Sequence, residues 1–187
     1  MNIESNRLIE DLIQDTKEYL NRVEQFKKLP AKILNWKADD KSWSILECIE
    51  HLNRYGNFYI PEISKRIENA PKNQSSSTFK SGVLGGYFAK TMLPREKLNK
   101  MKTFPSMNPL GSTLSADVLE TFSVQQKQML DLLNRARQVN LQKTKTDISI
   151  SKFIKLRLGD TFRVVIYHNL RHLAQADRVL QEQQKMA

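Results

Sequence analysis

The chain has 187 residues, 40% of them hydrophobic, with 30 Lys and Arg against 20 Asp and Glu for a formal net charge of +10; that length buries one good core and hardly two, so a single domain over residues 1–187 is expected. Six glycines and six prolines are few for an all-β protein, and no uninterrupted apolar run nears the roughly 20 residues of a membrane span. The lone Cys48 cannot close an internal disulfide and no apolar leader is present, which together predict a soluble protein of the reducing cytoplasm with no membrane partner.

The first periodic run covers residues 4–28. Ile9, Leu12, Thr16, Leu20 and Val23 recur at steps of three and four among charged residues, an amphipathic helix that Pro30 ends. Residues 33–42 read as a loop with Trp36 as an aromatic plug. The second helix, 44–70, has the clearest start in the chain: Ser44 and Glu47 stand at capping-box spacing, and Trp43 sits where a hydrophobic staple opposite Cys48 would sit. Ile45, Cys48, Leu52, Tyr55, Tyr59 and Ile63 trace its inward arc, with His51 inside it and Glu50, Asn53 and Arg54 pointing away. Pro61 kinks this helix without ending it, because the apolar spacing continues to Ile67.

Residues 71–77 form a polar breaker. Residues 78–111 read as a long crossover connection, with Gly82, Gly85 and Gly86 around a small apolar patch, a short helix from Tyr87 to Leu93, and Pro94, Pro105 and Pro109 beyond it. A third long helix, 114–140, places Val118, Phe122, Gln125, Met129, Leu132, Ala136 and Val139 on one face. The connection 141–158 contains the alternation Ile148-Ser149-Ile150 and reads as extended. Asp160, after Gly159, is the expected N-cap of a last helix, 160–183. Phe162, Val165, Ile166, Asn169, Leu173, Ala176, Val179 and Leu180 face inward there, while Arg163, Arg171, Arg178 and Gln181 face out. The predicted fold is all-α: a four-helix bundle with long crossover connections, the first and last helices antiparallel to the middle pair.

All three histidines of the chain fall on inward-facing positions of two predicted helices. His168 and His172 are four residues apart, one turn on one face, at the edge of the inward arc of the last helix. His51 lies on the second helix, so the three meet where those helices touch. Three imidazoles suit zinc, nickel, copper or iron and leave a coordination position open for water or substrate, the pattern of a catalytic metal. Their nitrogens are expected to approach to within roughly 3–4 Å of one another, as ligands of one ion must. Such an ion lowers the pKa of a bound water or thiol, so hydrolysis and thiol transfer are its two outcomes. Glu47, one turn before His51, and Tyr55, one turn after, are candidates to orient a ligand or carry a proton, against the simpler readings of cap and packing residue; Gln175, near the histidine face, is a third. Cys48 is read as a small apolar core residue ahead of a fourth ligand or a nucleophile.

The positive charge gathers in the connections, at Lys80, Lys90, Arg95, Lys97, Lys100 and Lys102, then at Lys143, Lys145, Lys152, Lys155 and Arg157. No helix-turn-helix, zinc-finger or RNA-binding sheet motif accompanies it, so a solvated basic surface comes first, an anionic small-molecule substrate second and nucleic acid last. No Gly-x-Ser-x-Gly elbow, Rossmann motif or P-loop is present.

The run Trp43-Ser44-Ile45-Leu46-Glu47-Cys48-Ile49-Glu50-His51-Leu52, then Leu158-Gly159-Asp160 and His168-Asn169-Leu170-Arg171-His172-Leu173-Ala174-Gln175, resembles the DinB-like superfamily of four-helix metalloproteins over essentially the whole chain. The resemblance implies an up-down-down-up bundle, frequently a homodimer, in which His51, His168 and His172 hold a divalent metal. Zinc or nickel comes first, manganese or iron after. It further implies a small-molecule substrate, with a low-molecular-weight thiol as cosubstrate, since the superfamily includes bacillithiol- and mycothiol-dependent transferases and a thiol-dependent maleylpyruvate isomerase. A non-catalytic metal-binding or stress-related bundle is the alternative, because family likeness does not choose a chemistry.

Overall fold

The periodic stretches become helices in the computed structural model, which describes residues 1–94 and 103–186. In chain order the elements are β1 (Asn2–Glu4), α1 (Ser5–Phe26), α2 (Ala31–Leu34), α3 (Ile45–Glu68), β2 (Thr78–Lys80), α4 (Val83–Met92), a 3-10 turn (Pro105–Met107), α5 (Asp117–Ala136), β3 (Lys145–Ile148), β4 (Ser151–Arg157) and α6 (Leu158–Met186). The protein is mostly helical. Long helices α1, α3, α5 and α6 build one hydrophobic cluster, in which α3 packs on α5 and α6, and α1 also packs on α5 and α6. Among the described residues no helix is long and apolar enough to cross a membrane.

The two helices that matter for the site begin in different ways. At α3 the capping box forms: the Glu47 amide donates to Ser44 Oγ at 3.1 Å, and the Ser44 amide donates to Glu47 Oε2 at 2.9 Å. Two free donors of the first turn are thereby satisfied. The helix then runs through Pro61 without ending. At α6 the expected N-cap role of Asp160 does not hold. Strand β4 runs straight into the helix, and backbone carbonyls take the leading amides: Leu158 donates to Thr144 O at 2.9 Å and Gly159 to Leu141 O at 3.1 Å. Asp160 is free to serve another element. Its carboxylate, fully buried, accepts from Ser81 Oγ at 2.5 Å, from the Gly82 amide at 2.8 Å and from Arg163 at 3.2 Å, and so holds the start of α4.

Several wheel assignments are corrected by such polar contacts. Arg163 and Arg171, placed outward by their positions on α6, are buried; Arg163 reaches Asp160 and Ser81, and its charge lies 5.8 Å from the centre of the Tyr167 ring. Asn53, placed on the outer face of α3, is buried and donates to Val118 O at 2.9 Å. On α1 the neighbouring Tyr19 is buried where Leu20 is only partly so.

The connections hold more structure than their sequence suggests. A short α2 occupies the start of the segment read as loop. β1 pairs antiparallel with β2, with Ile3 opposite Phe79, and β3 pairs antiparallel with β4, with Thr146 opposite Leu156. The first ribbon delivers the fully buried Phe79 onto the start of α6, where a Cβ at Gly159 would stand 2.7 Å from its ring; only glycine fits there. Helix α4 covers the site of the short helix expected in the crossover. Of the basic residues assigned to the connections, Lys155 pairs with Asp147 and Arg157 donates to the Lys80 carbonyl. Arg95, Lys97, Lys100 and Lys102 lie outside the described residues.

Asp160→Ala tests the buried tie at the head of α6. It removes the acceptor of three hydrogen bonds and leaves Arg163 buried beside no carboxylate, a loss on the order of 3–5 kcal/mol. The expected outcome is a lower urea midpoint with an unchanged slope, the slope reporting the surface exposed on unfolding.

Candidate metal centre

His51 comes from α3, and His168 and His172 from α6. Because those helices pack side by side, the three imidazoles share one volume. Their ring centres are 5.0 Å (His51 to His168), 4.5 Å (His51 to His172) and 4.6 Å (His168 to His172) apart. His51 Nε2 faces His168 Nε2 at 3.2 Å. One candidate ligand atom from each ring lies within 4.8 Å of the others, wider than the expected 3–4 Å. Two ligands on a tetrahedral zinc stand roughly 3.3 Å apart, so closing the set requires rotation of side chains.

Hydrogen bonds on the far side of two rings fix their tautomers. His51 Nδ1 is 2.7 Å from the Met107 carbonyl, which can only accept; Nδ1 therefore carries the hydrogen and Nε2 keeps its lone pair when the ring is neutral. His172 Nδ1 lies 3.0 Å from Gln175 Oε1, one turn along α6, which orients that ring in the same sense. Such partners behind ligating imidazoles are the usual means of aiming them.

Burial keeps all three rings neutral. His51 is pushed down to about 4 by desolvation, which outweighs the opposing hydrogen bond it donates to the Met107 carbonyl. His172 falls to about 3, by desolvation first and then by the proximity of His51. His168 lies well below the ordinary range, chiefly through desolvation and then through its two histidine neighbours. Neutral imidazole is the form that binds a metal. The donor set, the tautomer of His51 and the neutrality of the rings fit a divalent ion, and the group of three could hold one.

Tyr55 forms one wall, its ring centre 5.0 Å from that of His51 and 4.8 Å from that of His168. Gln175 meets His172 directly. Glu47 does not reach the rings: one oxygen serves the capping box, and the other takes Lys37 Nζ at 2.8 Å and the Gly111 amide at 2.7 Å. Cys48 is fully buried in the hydrophobic cluster, where burial first and then Glu47 push its thiol pKa up, far from a reactive thiolate. Two participants escaped the sequence reading. Trp43 packs its ring 4.8 Å from His51 and 5.6 Å from His172, a wall of the site where a staple to Cys48 was expected. It precedes the first helical residue, so no helical period could aim it. The Met107 carbonyl is a backbone group in a proline-interrupted segment, which side-chain patterning does not see.

The family model of the DinB superfamily matches residues 12–176, a span containing all three histidines. No curated protein and no solved structure matches this chain.

The neutral rings give the metal-free protein a pH signature. His51 and His172 have folded pKa values below the unfolded value of about 6.5, so below that pH the unfolded chain takes up protons that the folded chain refuses. Stability is therefore highest above pH 6.5 and declines as the pH falls toward the folded values near 4 and 3. Between pH 6.5 and 5 the decline should be on the order of 2 kcal/mol for each of these rings, read from urea midpoints. A flat profile over that window would show that the imidazoles are not shielded from water.

Proposed function

This chain belongs to the DinB superfamily, and from that membership and the meeting of its histidines in a desolvated cluster we propose that it is a metal-dependent enzyme of a single domain. In this reading His51, His168 and His172 hold a divalent ion, zinc or nickel ahead of manganese or iron, and the reaction is transfer of a small thiol to an electrophilic small molecule, or its hydrolysis by water. The surrounding fold is an up-down-down-up four-helix bundle, working in the cytoplasm as a homodimer.

The observation that carries the metal is the facing of His51 Nε2 and His168 Nε2 at 3.2 Å. With the His51 hydrogen committed to Met107, two neutral rings that both present lone pairs repel each other unless a proton or a cation lies between them. Desolvation disfavours the imidazolium that would supply a charged proton, leaving the neutral His168 Nε2–H tautomer or a metal. Bound by these rings, a divalent ion supplies Lewis acidity that brings the pKa of a coordinated thiol or water down to about neutral.

The protein's own residues prepare that chemistry. Gln175 holds the His172 ring by its Nδ1 hydrogen, and Trp43 and Tyr55 wall the cluster with aromatic surface, which limits water around a nucleophile. Tyr55 is the residue placed to carry a proton, since its ring stands against two of the three ligands; burial, then Tyr59, raises its pKa and keeps the phenol protonated as a donor. Glu47, committed to amides and to Lys37, is assigned a supporting role.

Isothermal titration with zinc, nickel and manganese, with elemental analysis of the purified protein, is expected to give one ion per chain. His168→Ala or His172→Ala should abolish stoichiometric binding while leaving helical circular dichroism nearly unchanged, since the packed helices do not depend on the ion. A screen of low-molecular-weight thiols against electrophilic acceptors, with and without metal, then separates the alternatives. Metal-dependent thiol consumption supports transfer, and stoichiometric binding with no turnover of thiol or hydrolysable substrate supports a non-catalytic metal-binding protein. Sedimentation showing a monomer at micromolar concentration would remove the dimer.

A further inference from the structure

Glu47, His51 and Arg54 stand at steps of four and three along α3, so they share one stripe of that helix. Alongside runs the segment 105–111, and all three residues bond to its backbone. Glu47 Oε1 accepts the Gly111 amide at 2.7 Å, His51 Nδ1 donates to the Met107 carbonyl at 2.7 Å, and Arg54 donates to the Asn108 carbonyl at 2.9 Å and, at the outer limit, to the Ser106 carbonyl at 3.5 Å. As α3 advances from 47 to 54, its partners step back from 111 to 106–108. The segment is a strap laid antiparallel to the helix.

Among the described residues, few side chains of the strap are buried. Pro109 is its buried residue, while Pro105, Ser106, Asn108, Leu110 and Gly111 are exposed. A segment with so few buried side chains is placed largely by its polar ties. Both ends of these ties are themselves anchored: Glu47 by the capping box and by Lys37, Arg54 by Glu50 at 2.9 Å. Gly111 has φ +78°, a conformation that a side chain would strain, where its amide reaches Glu47.

We propose that Arg54 and Glu47, which do not touch the imidazoles, are positioning residues for the metal centre: they pin the strap so that the Met107 carbonyl holds His51 in the Nδ1–H tautomer with Nε2 aimed at His168. The ring of His51 can rotate or exchange tautomers once that carbonyl moves, and the alternative tautomer puts a hydrogen where the metal lone pair has to be. The strap therefore acts on the ligand from behind, in the manner of other outer partners of metal-bound histidine. This inference rests on the metal reading for its consequence, but its structural half is testable without any ion.

The experiment uses the full chain, wild type beside Arg54→Ala and Arg54→Lys, with Glu50→Gln as a control that takes away the charge facing Arg54 but keeps an amide oxygen to hold it and leaves its bond to the strap. In the metal-free protein, ¹⁵N chemical shifts of His51 should report a single Nδ1–H tautomer in the wild type and in Glu50→Gln. Arg54→Ala should give a mixture, with faster amide exchange across residues 106–111, and Arg54→Lys should restore part of the wild-type pattern. Zinc affinity, measured by chelator competition, should fall about tenfold or more in Arg54→Ala and recover partly with lysine. Unchanged tautomer and exchange in Arg54→Ala overturn the proposal. If those two respond but wild-type protein binds no zinc, nickel or manganese, the strap is real and the metal reading is what fails.

Discussion

Desolvation of three imidazoles is the constraint on which the centre depends. α3 and α6 each carry their histidines on the face that meets the other helix, so packing the helices removes the rings from water whether or not a ligand is there. Burial of polar groups is tolerated only where their hydrogen-bonding capacity is used. Two of the rings discharge half of that requirement outward, to Met107 and to Gln175, and turn the other half toward the shared volume. A cluster of apolar side chains at these positions would pack with less difficulty. The arrangement is intelligible as a site that a cation completes.

The same packing was largely legible in the sequence, for a definite reason. The inward arcs of α3 and α6 are dense in aliphatic and aromatic residues at steps of three and four, and any residue on such an arc, histidine included, inherits its direction. His51, His168 and His172 could be aimed in this way, and Gln175 followed as the position one turn from His172. The capping box at Ser44 and Glu47 was readable because it is a short-range exchange of hydrogen bonds between fixed positions.

What escaped was polar burial and long-range pairing. A wheel sends Asn53, Arg163 and Arg171 outward because it knows hydropathy and nothing of partners. Asn53 is drawn in by a carbonyl 65 positions away, and Arg163 by Asp160 and the crossover's Ser81. The ribbon of β1 and β2 joins the first residues of the chain to residues 78–80, a pairing that neither three-residue segment announces. Trp43 and the Met107 carbonyl belong to this class too. Each acts from just outside a regular element, where periodicity has stopped and only the tertiary structure decides direction.

Charge makes a last connection between composition and site. The chain carries a formal +10; around the centre Lys37 is held on Glu47 and Arg54 on Glu50 and the strap, while the buried Arg171 next to His172 helps to lower the pKa of His168 and His172. The first pair joins a half-buried ammonium to a buried carboxylate, an arrangement that orders its surroundings more than it offers charge to a ligand. The rings themselves are neutral. Besides the Met107 carbonyl and Gln175, the imidazoles meet aromatic surface, Trp43 on one side and Tyr55 on another. In such surroundings an electrostatic interaction is screened far less than in water, and a single divalent ion would be the dominant local charge. At longer distances from the centre the field of the excess basic charge is weakened by salt, so the neutral cluster and any cation it holds set the local electrostatics.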